Sequence, residues 1–118
     1  MHHILLECTP KNIKLLTDPL EGEYFIKMWI NINNLTPVKG VVVYEFENNI
    51  VDDNKPAGYS LLQCLMESHM SIHTYPEYDK IHMDIFSCGK LDKELNERFF
   101  NEHFEKHDYK FIDRNFTI

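Results

Sequence analysis

The chemistry-bearing residues of this chain are concentrated between residues 61 and 89, LLQCLMESHMSIHTYPEYDKIHMDIFSCG. The stretch contains a Glu-Ser bond, three histidines and two cysteines. Its apolar and polar residues alternate, which is typical of paired strands with one buried face. Nucleophiles and proton carriers in that setting raise three explanations first: metal binding, hydrolysis and ordinary strand packing.

Metal binding is poorly supported by the histidine spacing. His69 and His73 match an H-x-x-x-H pattern, which chelates a metal on a helix. On a strand the same spacing separates the two Cα atoms by about 13 Å. Zinc binds its ligands at about 2 Å, so a site would have to borrow Cys88 or His82 from neighbouring strands. We therefore predict no metal.

Hydrolase chemistry and plain packing account for single residues only. The segment GYSLL around Ser60 is not the G-x-S-x-G elbow of a serine hydrolase. Cys88 with a histidine would make a thiol pair, but no local peptidase signature surrounds it. Taken singly, a histidine on a strand, Ser68 at a strand end and Cys88 before Gly89 are each better explained by packing. The combination needs a separate explanation.

A serine that follows a carbonyl in a strained backbone can cleave its own chain. Ser68 Oγ can add to the Glu67 carbonyl and convert the amide into an ester. Removal of the Ser68 α-proton then expels the Glu67 carboxylate, and hydrolysis of the dehydroalanine leaves a pyruvoyl group and ammonia. The reaction needs a neutral base such as a histidine and an oxyanion donor such as the Ser60 hydroxyl. The ketone forms Schiff bases and acts as an electron sink, but spacing alone does not select this route.

A family resemblance does select it. MESHMSIHTYPEY, followed by MDIFSCG, resembles the signature of the bacterial and archaeal S-adenosylmethionine decarboxylase proenzymes. The family form is close to E-S-H-[IL]-[ST]-I-H-T-W-P-E and then D-[VIL]-F-[TS]-C-G. The match covers Glu67 to Glu77 and Asp84 to Gly89, and HHILLEC is similar to the family's first strand. The order of elements is also similar to that of the family. When these weaker similarities are counted, the resemblance spans most of the chain.

The resemblance implies roles for five catalytic residues. Self-cleavage between Glu67 and Ser68 would give two chains, residues 1–67 and 68–118, with Ser68 becoming a covalent pyruvoyl cofactor. His73 would accept a proton during processing, and the Ser60 hydroxyl would assist that step. Cys88 would reprotonate the substrate carbon after carbon dioxide leaves.

The resemblance also implies a substrate, S-adenosylmethionine, and a pathway, spermidine biosynthesis. Glu77 and Tyr75 are expected substrate contacts, with Phe46 as a second ring. A sulfonium over an aromatic face gains about 0.5–2 kcal/mol. Three departures stand out: Tyr75 replaces the usual Trp, Leu61 replaces a Gly after the Ser60 hydroxyl, and the loop 47–57 is longer than is common.

Two helices and six strands are expected to position these residues. Asp18 and Pro19 predict the start of a helix in TDPLEGEYFIKMWININN. LDKELNERFFNEHFEKH predicts a second amphipathic helix. The predicted apolar faces of the helices comprise Leu20, Tyr24, Met28 and Ile32 in the first and Leu95, Phe99, Phe100, His103 and Phe104 in the second.

The strands are predicted from β-branched runs and alternation. HHILLEC is the first, PVKGVVVYEF is a buried strand, and YKFIDRNF is a short final strand. Between them lie strands at Tyr59–Met66, His69–Tyr75 and Lys80–Ser87. Ser68 and His73 are an odd number of residues apart, so a bend, bulge or strand change is expected between them.

This order of elements predicts an α+β fold. We expect a single domain over residues 1–118, a two-layer sandwich of a mostly antiparallel sheet with two helices packed on one face. The other face would stay uncovered, and packing against a second copy would bury it. The predicted assembly is therefore a homodimer of processed αβ protomers.

Composition limits the function classes. The 118 residues are 43% hydrophobic and carry a formal charge of −7, which fits a globular protein and disfavours nucleic acid as a partner. No apolar run reaches the roughly 18 residues of a membrane helix, and MHHILLECTP lacks the features of a signal peptide. Three cysteines without metal-type spacing suggest reduced thiols and a cytoplasmic location.

Two alternatives remain open for the function. A pyruvoyl-dependent decarboxylase of arginine or ornithine would use the same scaffold and the same chemistry. An uncleaved, non-catalytic relative would act as a binding or regulatory partner of another protein.

Overall fold

The computed structural model describes residues 1–115. Six strands, two α-helices and two short 3-10 helices, Ile13–Leu16 and Pro76–Tyr78, follow one another along the chain. The α-helices and strands are β1 (His2–Pro10), α1 (Pro19–Ile32), β2 (Val42–Glu45), β3 (Tyr59–Leu65), β4 (Ser68–Tyr75), β5 (Lys80–Ser87), α2 (Lys93–His103) and β6 (Phe104–Asp113). The end of the predicted final strand, Phe116, lies outside the described residues.

The six strands form one antiparallel sheet in the order β2-β3-β4-β5-β1-β6. Both helices cover the same face, toward which alternate residues of the central strands point. The predicted α+β sandwich is therefore confirmed. The other face, which we call the open face, carries no helix within residues 1–115.

Helix α1 begins as predicted, because the Asp18 side chain accepts a hydrogen bond from the Leu20 amide and Pro19 occupies the first turn. Its predicted apolar face is wrong. Leu20 and Tyr24 are 63% and 65% exposed, and Met28 is exposed as well.

The buried face of α1 lies to one side of that stripe. The side chains that pack on the sheet are Phe25, Ile26, Trp29 and Ile30. Gly22 is buried with them. A Cβ at this position would lie 2.6 Å from the Tyr59 hydroxyl, so a glycine is needed for helix and strand to come this close. The close approach of helix and strand at this glycine selects the face that turns inward. Ile32, the last member of the predicted stripe, is partly buried.

Strand β2 is also different from the prediction. Its four residues are all exposed, since it is the outermost strand of the sheet and pairs only with β3 among the described strands. A β-branched run such as VVVY marks a strand, but it does not distinguish a central strand from an edge strand.

Helix α2 buries Phe99 and Phe100 as predicted, but Phe104 belongs to β6. Phe104 is buried nonetheless, because β6 continues directly from the helix into the sheet. Between the helices the Trp29 indole donates to Asn96 Oδ1 at 2.8 Å, and this buried bond joins α1 to α2. None of the helices described over residues 1–115 is long and apolar enough to cross a membrane.

Candidate active site

The Glu67-Ser68 bond lies at the turn between β3 and β4. Leu65 pairs with Ser68, so Met66 and Glu67 form a two-residue hairpin turn. Glu67 has φ 57°, a left-handed conformation that costs a non-glycine residue on the order of 1 kcal/mol or more. Met66 does not share the positive φ, whereas the relaxed two-residue hairpin turns have a positive φ at their first central residue. The turn therefore holds backbone strain directly before Ser68.

Cys88 contacts both residues of this bond. Its amide donates to Ser68 Oγ at 3.3 Å, and its thiol donates to Glu67 Oε2 at 3.4 Å. The contact arises because Ser68 pairs with Ser87 at the end of β5, which places Cys88 beside the turn. Cys88 is exposed, whereas Cys8 is buried in the core, where burial raises the pKa of its thiol far above the ordinary value. Of these two thiols, the one at the turn is accessible to a substrate.

Ser60 and His73 form a second group, further along the same strands. They are direct neighbours across β3 and β4, and Ser60 Oγ lies 2.8 Å from His73 Nδ1. The hydroxyl and the ring are both partly buried on the open face. The Ser60 hydroxyl thereby fixes the orientation of the His73 ring.

The two groups do not meet within one chain. β4 runs without a bulge from Ser68 to His73, since its register with both neighbours is continuous. The predicted bend between these residues is therefore wrong. Ser68 has the parity of the buried residues Met70 and Ile72, while His73 lies on the open face. Five residues of strand separate their Cα atoms by about 17 Å.

The predicted substrate contacts gather near His73. Phe46, Tyr75 and Glu77 line one cavity of about 190 Å³ beside the loop between β2 and β3. Phe46 is half exposed, and the Tyr75 ring stacks at an angle on His82, with 4.9 Å between centroids. The structure thus separates the eight predicted site residues into two groups: Glu67, Ser68 and Cys88 at the turn, and Ser60, His73, Tyr75, Glu77 and Phe46 at the other end.

An ionic cluster that sequence reasoning missed lies on the open face between these groups. Asp84 Oδ2 lies 2.7 Å from His3 Nε2 and 3.5 Å from His69 Nε2, and Ser71 Oγ donates to Asp84 Oδ1. The His69 ring stacks on Phe86. Asp84 is the first residue of the second half of the motif, so the sequence did mark this position. Its partners lie on neighbouring strands, and only the fold reveals which strands are neighbours.

A second ionic group lies next to His73. Glu7 Oε1 is 2.6 Å from Lys80 Nζ, and Glu7 Oε2 is 3.7 Å from His82 Nε2. The hydrogen bond and the charge of Lys80 lower the pKa of Glu7 below its ordinary value. Within residues 1–115 no three metal-ligating side chains converge on one point. His69 and His73, the pair with chelating spacing, have different partners.

The fold and the site together define an α+β two-layer protein with a strained Glu-Ser turn and an open sheet face rich in histidine and carboxylate. The family described as S-adenosylmethionine decarboxylase matches residues 2–115 of this chain. The chain belongs to that family, as the resemblance in the motif predicted.

Similar proteins carry the same name in archaea and bacteria. The chain is 41% identical over 104 residues to an S-adenosylmethionine decarboxylase proenzyme of Thermodesulfovibrio yellowstonii. The matched stretch covers 87% of this chain and 70% of the relative. It is 41% identical over 56 residues to the proenzyme of Archaeoglobus fulgidus, 47% of this chain and 50% of the relative. An arginine decarboxylase proenzyme of Aeropyrum pernix is 34% identical over 62 residues, 45% of this chain and 47% of the relative. The chain thus spans about half the length of several of the curated relatives that it matches.

Proposed function

We propose that this chain is the proenzyme of a pyruvoyl-dependent S-adenosylmethionine decarboxylase that cleaves itself between Glu67 and Ser68. The left-handed backbone of Glu67 carries the proposal. Strain at a turn is released when the turn is cut, so the local backbone favours cleavage at this bond. Family membership supports the same reaction, since its relatives are named proenzymes.

The proposed cleavage proceeds in three steps and consumes one water. Ser68 Oγ adds to the Glu67 carbonyl, the amide bond breaks, and Glu67 is left as an ester on Ser68. A base removes the Ser68 α-proton, and the Glu67 carboxylate leaves as the new end of the first chain. Addition of one water to the resulting dehydroalanine end releases ammonia and gives the ketone. The Cys88 amide donates to Ser68 Oγ, so it is suited to hold this oxygen in place before it adds to the Glu67 carbonyl.

The pyruvoyl group would supply an electron sink for loss of the substrate carboxylate. Cys88 at the turn and the residues at the other end of the strands suit the remaining tasks. The exposed Cys88 thiol is next to Ser68 and can return a proton to the substrate carbon. Tyr75 and Phe46 offer aromatic faces to a sulfonium, and Glu77 offers a carboxylate to polar groups of the substrate.

The proposed base, His73, does not reach Ser68 of its own chain. His73 is about 17 Å from Ser68 along a straight strand, beyond any proton transfer. The open face is partly apolar, with Leu5 and Leu62 exposed among its polar residues. Two copies packed through this face by a two-fold axis would bury those side chains. We therefore propose a homodimer in which His73 and Ser60 of one protomer serve the Glu67-Ser68 bond of the other.

Mixed dimers test this arrangement. Ser68→Ala and His73→Ala chains, each with its own tag, are expressed alone and together, and cleavage is measured by intact mass. Each variant alone should stay uncleaved. In a random 1:1 mixture about half of the His73→Ala chains should be cleaved, because each mixed dimer holds one intact site.

A matched control uses His82→Ala, which removes a neighbouring histidine of the open face and should leave cleavage unchanged. Cleavage of His73→Ala alone would contradict the role of His73. Two variants that stay uncleaved when mixed would contradict the shared site.

The substrate is decided by measuring carbon dioxide release from S-adenosylmethionine, arginine and ornithine. We expect turnover of S-adenosylmethionine, because most of the relatives carry that name. The arginine decarboxylase relative makes arginine the second candidate. A wild-type chain that keeps its full mass of 14.1 kDa and releases no carbon dioxide would instead be an uncleaved binding relative.

A further inference from the structure

The loop 47–57 between β2 and β3 is tied to the rest of the protein through one buried side chain. Asn49 is 7% exposed, although both of its neighbours in the chain are exposed. Its Oδ1 accepts hydrogen bonds from the Val51 and Asp52 amides, both at 3.1 Å. Its Nδ2 donates to the Pro56 carbonyl at 3.0 Å and to Glu77 Oε2 at 2.8 Å. The amide group is thus fully hydrogen-bonded, which fixes its orientation.

The bond to Glu77 links this loop to a proposed substrate contact. Within residues 1–115, Asn49 is the only hydrogen-bond partner of the Glu77 carboxylate. A carboxylate held through one oxygen keeps the lone pairs of the other oxygen for a ligand. Glu77 is partly buried in the short 3-10 helix after β4.

The cavity beside Glu77 is built largely by the same loop. The loop contributes Asn48, Asn49, Ile50 and Val51, and the other lining residues are Phe46, Gly58, Thr74, Tyr75 and Glu77. Apolar and aromatic walls with a single carboxylate suit a flat ring system that carries hydroxyl or amino donors. S-adenosylmethionine contains such a nucleoside, whereas arginine and ornithine do not.

We infer that Asn49 is a positioning residue that orients Glu77, and that the loop 47–57 selects the nucleoside part of the substrate. The inference rests on the proposed function for its substrate, but not on decarboxylation. Asn49 touches the carboxylate and not the reacting atoms. It should therefore govern affinity for nucleoside-bearing molecules and leave the chemical step and self-cleavage nearly unchanged.

Two substitutions separate orientation of Glu77 from simple stabilisation of the loop. Asn49→Ala removes all four bonds. Asn49→Asp keeps an acceptor for the Val51 and Asp52 amides, but it removes the donor to the Pro56 carbonyl and sets a like charge against Glu77. Asn54→Ala is the matched control, because Asn54 is exposed in the same loop and its side chain makes no hydrogen bond within the described residues.

The first measurement is calorimetric binding of S-adenosylmethionine to the uncleaved Ser68→Ala chain, with and without each substitution. Loss of a hydrogen bond to a charged group predicts a Kd roughly tenfold higher or more for Asn49→Ala and Asn49→Asp. Asn54→Ala should match the parent.

The second measurement is steady-state kinetics of the processed enzyme. Asn49→Asp should raise KM for S-adenosylmethionine by a similar factor and leave kcat within about twofold. Equal binding by Asn49→Asp and Asn54→Ala, or no binding by the Ser68→Ala chain at millimolar S-adenosylmethionine, would overturn the inference. Normal binding that depends on Asn49, without any decarboxylation by the wild type, would instead overturn the proposed function alone.

Discussion

Gly22 is the residue at which α1 comes closest to the sheet, and its replacement by alanine should destabilise the protein. An added Cβ would lie 2.6 Å from the Tyr59 hydroxyl, 2.7 Å from Tyr59 Cε2 and 2.8 Å from Leu61 Cδ1. Carbon atoms pack best at about 3.5–4.0 Å, so each contact is short by about 1 Å. Tyr59 and Leu61 are almost completely buried, and the Tyr59 hydroxyl donates to the Leu15 carbonyl. Neither side chain can retreat without loss of packing or of that hydrogen bond.

The size of the effect follows from two opposing contributions. Alanine in place of glycine favours a helix by up to about 1 kcal/mol, and by less in the first turn, where Gly22 lies. Overpacking a buried contact costs about 1–3 kcal/mol, and weakening the Tyr59 hydrogen bond costs about 1 kcal/mol more. We expect the free energy of unfolding to fall by about 1–3 kcal/mol, and the melting temperature by roughly 4–12 °C for a domain of this size.

The assay is urea and thermal unfolding of Gly22→Ala in the Ser68→Ala background, in which every chain has the same covalent structure. Gly40→Ala is the control, because no atom lies within 4 Å of its added Cβ. It should change the free energy of unfolding by less than about 0.5 kcal/mol. If Gly22→Ala were as stable as the parent or more so, helix propensity would outweigh the contact, and the close approach of α1 to β3 would be wrong.

Four further predictions concern the sheet and the turn. Tyr59→Phe should lower the free energy of unfolding by about 1 kcal/mol through loss of the bond to the Leu15 carbonyl, as measured by urea unfolding. Burial raises the pKa of Tyr59, so above pH 10 the unfolded chain releases this proton while the folded chain keeps it. The stability of the parent should therefore decline as the pH rises from about 10, and Tyr59→Phe should show less of this decline. Glu67→Gly in the Ser68→Ala background should raise the melting temperature by relieving about 1 kcal/mol of left-handed strain; an unchanged or lower value would contradict a strained turn. Cys88→Ala should still cleave, as seen by intact mass, but should release carbon dioxide slowly or protonate the substrate at the wrong atom; full activity with the normal product would contradict its role as the acid.

The local signals in the sequence were sufficient for the strands that carry the site. The predicted strands at Tyr59–Met66, His69–Tyr75 and Lys80–Ser87 agree with β3, β4 and β5 to within one residue at each end. Alternation of apolar and polar residues reports directly which side of a strand is buried, and this information is local. The helix starts were predictable for the same reason, since a cap such as Asp18 acts on amides within its own first turn.

The errors about which faces are buried concern contacts between elements. The i, i+4 spacing of Leu20, Tyr24 and Met28 describes a stripe on α1, but a helix with apolar residues on two sides can bury either one. The face that carries Gly22 is buried, because the missing side chain lets Tyr59 approach the helix. The prediction of a buried strand at PVKGVVVYEF failed for a similar reason, because the exposure of an edge strand depends on what lies beside it.

For the candidate site, the sequence by itself determined the residue types, the motif and membership of the S-adenosylmethionine decarboxylase family. The roles of Ser68, His73 and Cys88 remain predictions from that motif. Only the tertiary structure decided that Ser68 lies beside Cys88 while His73 lies beside Ser60. The physical reason is that neighbours along a strand are separated by about 3.3 Å per residue, whereas neighbours across strands depend on strand order and on the register that the turns set in the folded chain.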